Sequence, residues 1–305
     1  MRVRTSTCVL PESAAVSYGE GVNSIAITGS TGYIGGLVAR SLADAGVPQR
    51  LIVRDTARAP QLDGAEVAQA SFGDRAAVEA ALAGIDTVLM VSASESEDRV
   101  DAHRAFVDAA SAARVSHLVY ISFLGASPTA TFTLARDHSA TEQHIAASGL
   151  AHTFLRDALY LDFMEMLVGE DGVIRGPAGD GLVSGVSRAD VARSATAVVR
   201  DPGAHAGASY DLTGPESLSM SEIAATIARE RGVTVSFHNE SLDEAYASRA
   251  RWNAPGWQND AWVSTYTAIA AGEMNAPSDA VERLTGRAPQ SLAQVLAATA
   301  AGAAR

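Results

Sequence analysis

The 305-residue chain is 47% apolar and 19% charged, with a formal net charge of -12 and an isoelectric point near 5.0. That is the balance of an ordinary globular protein of one or two domains. The acidic excess argues against a nucleic-acid partner, which needs basic patches, and no stretch has the uninterrupted apolar length of a membrane span. A single cysteine, Cys8, rules out an internal disulfide framework and is what a reducing cytoplasm leads one to expect.

Residues 1–22 stand apart. Two arginines open them in the manner of a signal peptide, but Pro11 and Glu12 interrupt any apolar core. The segment reads as a disordered extension ahead of a folded unit that begins near residue 23.

The first strand is the apolar run Ile25-Ala26-Ile27-Thr28, which lacks period-two alternation and so reads as buried on both faces. Gly29, Gly32 and Gly35 follow at a spacing of three and three. Ile34, Leu37, Val38 and Leu42 then recur at helical spacing, and Gly46 is a natural stop. A strand that feeds a helix through such a turn leaves backbone N–H groups unpaired at the helix start, and with the helix dipole they form an anion site. Gly29 suits the tight turn, Gly32 admits a pyrophosphate, and Gly35 lets the helix lie close on the strand. The residues around them, Ser30, Thr31, Tyr33 and Ile34, complete a dinucleotide-binding loop. The pattern lacks the Lys-Ser/Thr ending of a P-loop.

Further strands are expected at 50–55, 65–70, 86–92, 117–122 and 152–156, separated by helices at 75–82, 98–113 and 137–148. Strands alternating with helices of this length predict a parallel sheet covered on both faces, which binds ligands beyond the carboxyl ends of its strands. Gly29, Arg54, Ser92 and Ser122 fall at such ends. After Tyr160 the rhythm changes. Ser187 caps a helix, a strand near Tyr210 leads to the turn at Gly214-Pro215, and Ser219 with Glu222 forms a capping box. The remainder reads as mostly helical.

The residue after the second strand meets the adenosine ribose in such folds: an acid there binds the free hydroxyl of NAD, and an arginine accommodates the 2′-phosphate of NADP. Here Arg54 comes first, with Arg58 four residues on, and Asp55 competes. Because a guanidinium matches phosphate oxygens in a bidentate way, NADP(H) is expected ahead of NAD(H).

The segments "ITGSTGYIGG", "VRDTAR", "VSASES", "YISFLGA", "RDHSATEQHIAASGLAHTFLR" and "DALY" occur in this order. Together they resemble the NmrA-like atypical short-chain dehydrogenase/reductases, and among them the NAD(P)H:quinone oxidoreductases of type 2. The resemblance implies an α/β fold: a Rossmann-type, doubly wound parallel sheet over residues 23–157, with a smaller, mostly helical C-terminal substrate subdomain over 158–305 that returns some segments to the sheet. It further implies that Gly29 to Gly35 hold the pyrophosphate and that Arg54 and Arg58 hold the adenosine phosphate. Phe72, Gly73 and Asp74 would lie near the adenine, Ser92 along the cofactor, Ser122 and Phe123 near the nicotinamide, and Tyr160 in the cleft.

One departure shapes the chemistry. All 23 basic residues are arginine and no lysine occurs, so the Tyr-x-x-x-Lys pair of conventional short-chain dehydrogenases is absent. Leu134 stands at the tyrosine position and His138 at the lysine position, with Glu142 one turn on. His138 is a candidate to bind ribose or nicotinamide, or to donate a proton, since an ordinary histidine titrates near neutrality. The missing phenol fits a quinone acceptor, whose hydroquinone anion solvent can protonate. Phe132, Phe163, Met164 and the Trp252/Trp257/Trp262 group are candidates for an apolar lid over a flat acceptor. No His/Cys/acid cluster predicts a metal, and no G-x-S-x-G elbow is present.

Three functions are therefore open: an NADPH-dependent oxidoreductase acting on quinones or similar electron-poor aromatics, a non-catalytic NAD(P)-binding redox sensor, and a pathway-specific imine or alkene reductase. The expected partner is a small-molecule substrate, for a cytoplasmic monomer or homodimer with no nucleic acid or membrane partner.

Overall fold

The computed structural model describes residues 24–303; the expected extension 1–22, with Cys8, lies outside the described residues. Six strands and four helices open the chain. Strand β1 (Ile25–Thr28) leads to helix α1 (Tyr33–Asp44), β2 (Gln49–Val53) to β3 (Ala65–Gln69) and α2 (Arg75–Ala81). Strand β4 (Thr87–Val91) leads to α3 (Arg99–Ala112), β5 (His117–Phe123) to α4 (Thr133–Ala147), and β6 (Ala151–Asp157) closes the series. With β9 (Ser209–Leu212) these strands form one seven-stranded sheet in the order β3-β2-β1-β4-β5-β6-β9, every neighbouring pair parallel.

Both faces are covered, which is why the central strands read as unbroken apolar runs. On one face Ile27, Leu89, Val119 and Ile121 pack against Val38 and Leu42 of α1 and against Val191, Ala195 and Val198 of α5 (Arg188–Arg200). On the other, Ala26, Val88, Met90, Leu118 and Tyr120 meet Val78, Phe106, Val107 and Ile145 from α2, α3 and α4. Each such large side chain, fully buried, contributes about 1.5–3 kcal/mol, so both helical layers are fixed by the same strands.

The strand order reverses between β1 and β4: from β1 the chain steps outward to β2 and β3, and from β4 it steps the other way to β5 and β6. Ligands in open parallel sheets bind at that switch point. Thr28 holds it together: its buried Oγ1 donates to the Leu89 carbonyl at 3.1 Å and accepts from the Val91 N–H at 2.8 Å.

The second half carries its own core. Phe123, Phe132, Leu161, Met164 and Ile174 pack with Ile223 of α6 (Met220–Arg231), Tyr266 and Ile269 of α8 (Gly256–Ala270), and Leu292 and Val295 of α10 (Leu292–Ala303). Ser187 caps α5 by accepting the Asp190 N–H, and Ser219 with Glu222 forms the expected capping box on α6. Two small sheets depart from the mostly helical reading. Strand β7 (Val173–Gly176) pairs parallel with β11 (Ser236–Asn239), and β8 (Leu182–Val183) pairs antiparallel with β10 (Leu218–Ser219). These strands are two to four residues long, too short for a periodic signal, and they form because distant segments supply the partners. Helix α4 also starts one turn before residue 137: Phe132 and Ala135 are buried against Phe123, so packing extends the helix past the point its polar residues suggested.

Candidate active site

The glycine turn sits at the carboxyl end of β1. Gly29 takes φ +66°, a left-handed conformation that favours glycine. A Cβ on Gly35 would lie 2.5 Å from the Gly29 carbonyl oxygen, so only glycine lets α1 approach the strand this closely. Helix α1 begins after Gly32 with no capping side chain and no acid in its first turn. Beside these donors, Ser30 is 3% exposed and its Oγ has no partner among the described residues. Thr31, Gly32 and Tyr33 are exposed, whereas the Ile34 side chain turns into the core and supports the loop from beneath. An orphaned buried hydroxyl, an uncapped helix start and glycine cradle form a fitting bed for a pyrophosphate.

At the end of β2, Arg54 and Arg58 are both exposed, and neither guanidinium has a hydrogen bond or ion pair among the described residues. Asp55 is engaged otherwise: its Oδ1 accepts the Ala57 N–H at 3.0 Å and caps the short 3-10 turn Thr56–Arg58. The acid that competed for a ribose hydroxyl thus has a structural role. Asp74 likewise caps α2 through Ala77. Phe72 packs on Phe106 at 4.5 Å, and Ser92 is half-buried just beyond β4.

Behind these strand ends lies a buried polar network. His138, 6% exposed, contacts Arg99 Nη2 through Nε2 at 3.0 Å and Tyr120 Oη through Nδ1 at 2.9 Å. A guanidinium only donates, so Nε2 accepts and the neutral ring carries its proton on Nδ1, facing Tyr120. The same logic fixes His103, whose Nε2 accepts the Ala93 N–H at 2.9 Å while Nδ1–H faces Thr141 Oγ1 at 2.9 Å. Burial, and then the Arg99 charge, hold His138 well below the ordinary histidine range and bring His103 down to about 3. This corrects the sequence expectation of a histidine titrating near neutrality: with both ring nitrogens engaged and a cation alongside, His138 is a fixed neutral ring. Arg99 itself is 4% exposed, with its Nε unpartnered and Asp137 3.9 Å away.

Ser122 is also drawn inward. It is fully buried, and its Oγ donates to Glu142 Oε1 at 2.7 Å; the same carboxylate accepts from Arg156 Nε at 2.8 Å through Oε1 and from Nη2 at 2.6 Å through Oε2. Phe123 is 8% exposed, its ring 5.0 Å from Phe132 and 6.0 Å from His138. Ser122 and His138, the two expected catalytic groups, therefore share one buried neighbourhood on the α3–α4 side of β5 with their hydrogens already committed.

The other wall follows β6. Tyr160 donates its hydroxyl to Asp157 Oδ2 at 2.5 Å, and its ring meets Phe163 edge-on at 5.7 Å. Phe163 and Tyr33 sandwich the Arg188 guanidinium at 4.5 and 4.0 Å, joining this wall to the first residue of α1. The expected apolar lid is divided. Phe132 and Met164 are core residues, Phe163 is exposed, and Trp252 packs on Trp262 at 5.7 Å. Trp257 alone of the tryptophans lines a cleft of about 390 Å³, shared with Ser96, Glu97, Thr133, Leu134, Asp137 and Asp260. Three carboxylates make that cleft polar where a lid of aromatics was expected.

Arg99, His103, Tyr120 and Asp157 escaped the sequence reading. Arg99 and His103 lie four residues apart, on the helical face that also carries Phe106 and Val107; a charged and a titratable residue on a buried face is a signal that spacing alone could have raised. Among the described residues no group of histidine, cysteine and acid could hold a metal ion, and no helix is long and apolar enough to cross a membrane.

A glycine-cradled switch point with an arginine after β2 defines a dinucleotide-dependent α/β enzyme of the Rossmann type. The profile of the NAD(P)H-binding family matches residues 29–202. Quinone oxidoreductase 2 of Escherichia coli is 33% identical over 277 residues, covering 88% of this chain and 96% of that protein. The NAD(P)H azoreductase of Xenophilus azovorans is 31% identical, covering 91% and 98%. The crystal structure of the Escherichia coli NADPH-dependent quinone oxidoreductase, complexed with NADPH, superposes with a TM-score of 0.83 at 32% identity, over 90% of this chain and 99% of that one. The chain belongs to the NAD(P)H-binding family, within the NmrA-like group that includes the quinone oxidoreductase of type 2, and it is an NAD(P)H-dependent oxidoreductase.

Proposed function

We propose that the enzyme uses NADPH to reduce quinones or comparably electron-poor aromatic compounds. The observation that carries the choice of acceptor is the residue standing where conventional relatives have a phenolic acid: Leu134, an apolar side chain lining the cleft. Simple carbonyl reduction needs a proton donor as the alkoxide forms, whereas a quinone yields a delocalised anion that requires much less help. The names of the Escherichia coli and Xenophilus relatives, a quinone oxidoreductase and an azoreductase, support the same acceptor class.

When bound, the dihydronicotinamide supplies a hydride. The chain's residues do the rest. Gly29 to Gly35 receive the pyrophosphate on the start of α1, and Ser30 Oγ adds a donor. Arg54, with Arg58, receives the 2′-phosphate. Ser92 and the residues after it flank the cofactor, with the loop held by the Ala93–His103 bond. Phe123, Tyr160 and Phe163 bound the acceptor, and His138 positions Arg99 and Tyr120 behind it. In this division residues 23–157 hold the cofactor and 158–305 shape the acceptor site. Rate then comes mainly from holding donor and acceptor carbons in contact.

The test is NADPH oxidation with 1,4-benzoquinone, NADH run in parallel. Turnover with a clear preference for NADPH is the expected result. Tight NADPH binding without turnover of any quinone would overturn the acceptor class.

A further inference from the structure

The cleft of about 390 Å³ lies past the carboxyl end of β4 and is shared by the two halves of the chain, within the size range of small-molecule sites. Glu97 reaches it from the loop after β4, Leu134 and Asp137 from the first two turns of α4, and Trp257 and Asp260 from the first two turns of α8. Its walls are tied to each other: the Thr133 N–H at the start of α4 donates to Ser264 Oγ of α8 at 3.2 Å. Leu134 and Trp257, both half-buried, give it the apolar surface on which a flat ring can lie.

The charges that line this cleft have one sign. Glu97 is exposed and has no hydrogen bond or ion pair among the described residues. Asp260 is exposed and accepts the Tyr246 hydroxyl at 2.8 Å, a neutral donor that leaves its charge uncompensated. Neither acid caps the helix beside it. Asp137 is offset in part by Arg99, 3.9 Å away, but that guanidinium is buried, turns Nη2 to His138 and does not line the cleft. Trp257 adds an independent preference of the same sign, because the face of an indole attracts a cation.

We infer that the enzyme selects its acceptor by charge: Glu97 and Asp260, with Trp257 between the apolar wall and the rim, favour quinones that carry a cationic group and turn away those that carry an anionic one. The inference rests on the quinone reading and names the kind of quinone. The ring lies against Leu134 and Trp257, where the missing phenol leaves an apolar surface, and an ammonium group on the ring's substituent meets the two carboxylates. A sulfonate or carboxylate in its place faces two like charges with no cation lining the cleft to pair with, and like charges brought together at a binding surface reject the wrong partner. The substituent takes no part in the reduction, so its charge alters binding and leaves the hydride step as it is.

The experiment compares NADPH oxidation with 1,4-naphthoquinone and with the same ring bearing, on a short alkyl arm, either a trimethylammonium or a sulfonate group. In the wild type at low salt, kcat/KM is expected to favour the ammonium compound over the sulfonate by about tenfold or more, and the gap should narrow as added salt screens the carboxylates. In the double variant Glu97→Gln, Asp260→Asn the preference should fall to about twofold or less. The ratio is taken within each variant, so a general loss of activity leaves it readable, and the salt series in the wild type tests the same point without any substitution. Equal use of the two charged quinones, or a preference that salt does not narrow, would overturn charge selection. A preference that persists unaltered in the double variant would assign it to the acidic chain as a whole and overturn the role of these two residues. In each case turnover of the neutral ring leaves the quinone reading intact. A wild type that binds NADPH but reduces none of the three would overturn both.

Discussion

At the scale of one residue, the proposed NADPH preference rests on Arg54. Its guanidinium is exposed and unengaged while Asp55 beside it caps a turn, so a 2′-phosphate meets a cation and no opposing carboxylate. A hydrogen bond to a charged group contributes about 1.5–3 kcal/mol. Arg54→Ala is therefore expected to weaken NADPH roughly 10- to 100-fold, with NADH little changed, which fluorescence titration of both cofactors checks. Retained NADPH affinity would remove Arg54 from the phosphate site. The place of this residue was legible in the sequence, because a strand end follows from the apolar run before it, and the structure puts Arg54 exposed just after β2. His138 and Ser122 were legible only as positions. Their identity announced chemistry, but what their atoms touch depends on how β5 and α4 face each other, which brings Tyr120 to His138 and Glu142 to Ser122, and on Arg99 from α3.

The strand–turn–helix element that starts the sheet depends on contact between backbones. The Gly35 Cα lies where a Cβ would meet the Gly29 and Thr28 carbonyl oxygens at 2.5 and 2.7 Å. Those are backbone atoms of the last residue of β1 and of the turn that follows it and cannot swing aside, so Gly35→Ala must push α1 off the sheet. The expected outcome is a destabilised protein with NADPH affinity lowered at least tenfold, read by thermal melting and cofactor titration. Ordinary stability with ordinary affinity would show that the helix accommodates the methyl group. Elements of this kind were readable in advance, since the apolar runs and glycine spacing of β1 to β6 are local signals. The pairs β7–β11 and β8–β10 were not, because strands of two to four residues carry no period and owe their existence to partners far along the chain.

Across the whole molecule, buried histidines set the response to acid. Burial lowers His103 to about 3 and His117 to about 4, and holds His138 well below its ordinary value. The sign follows from proton uptake. An unfolded chain protonates these rings near the ordinary value of 6.5, the folded one only far below it, so their stabilisation is complete above that value and is lost as pH falls toward 3. Within this window each histidine contributes a slope of about 1.4 kcal/mol per pH unit. Denaturant unfolding at a series of pH values should show stability declining with acid, and His117→Gln should reduce the slope by about that amount. An unchanged slope would mean that His117 titrates alike in both states.

The return of β9 to the edge of the main sheet has a practical side. The strand arrives from the second half of the chain, pairs with β6 along Phe154 to Asp157, and reaches it only after α5 has packed under the face that carries α1. Cofactor half and acceptor half are therefore interleaved like laced fingers. Anyone wishing to graft the acceptor specificity of a relative onto this scaffold cannot cut once after β6. The exchangeable parts are the loops between the laced strands, and a chimera must leave α5 and β9 with the parent that supplies the sheet.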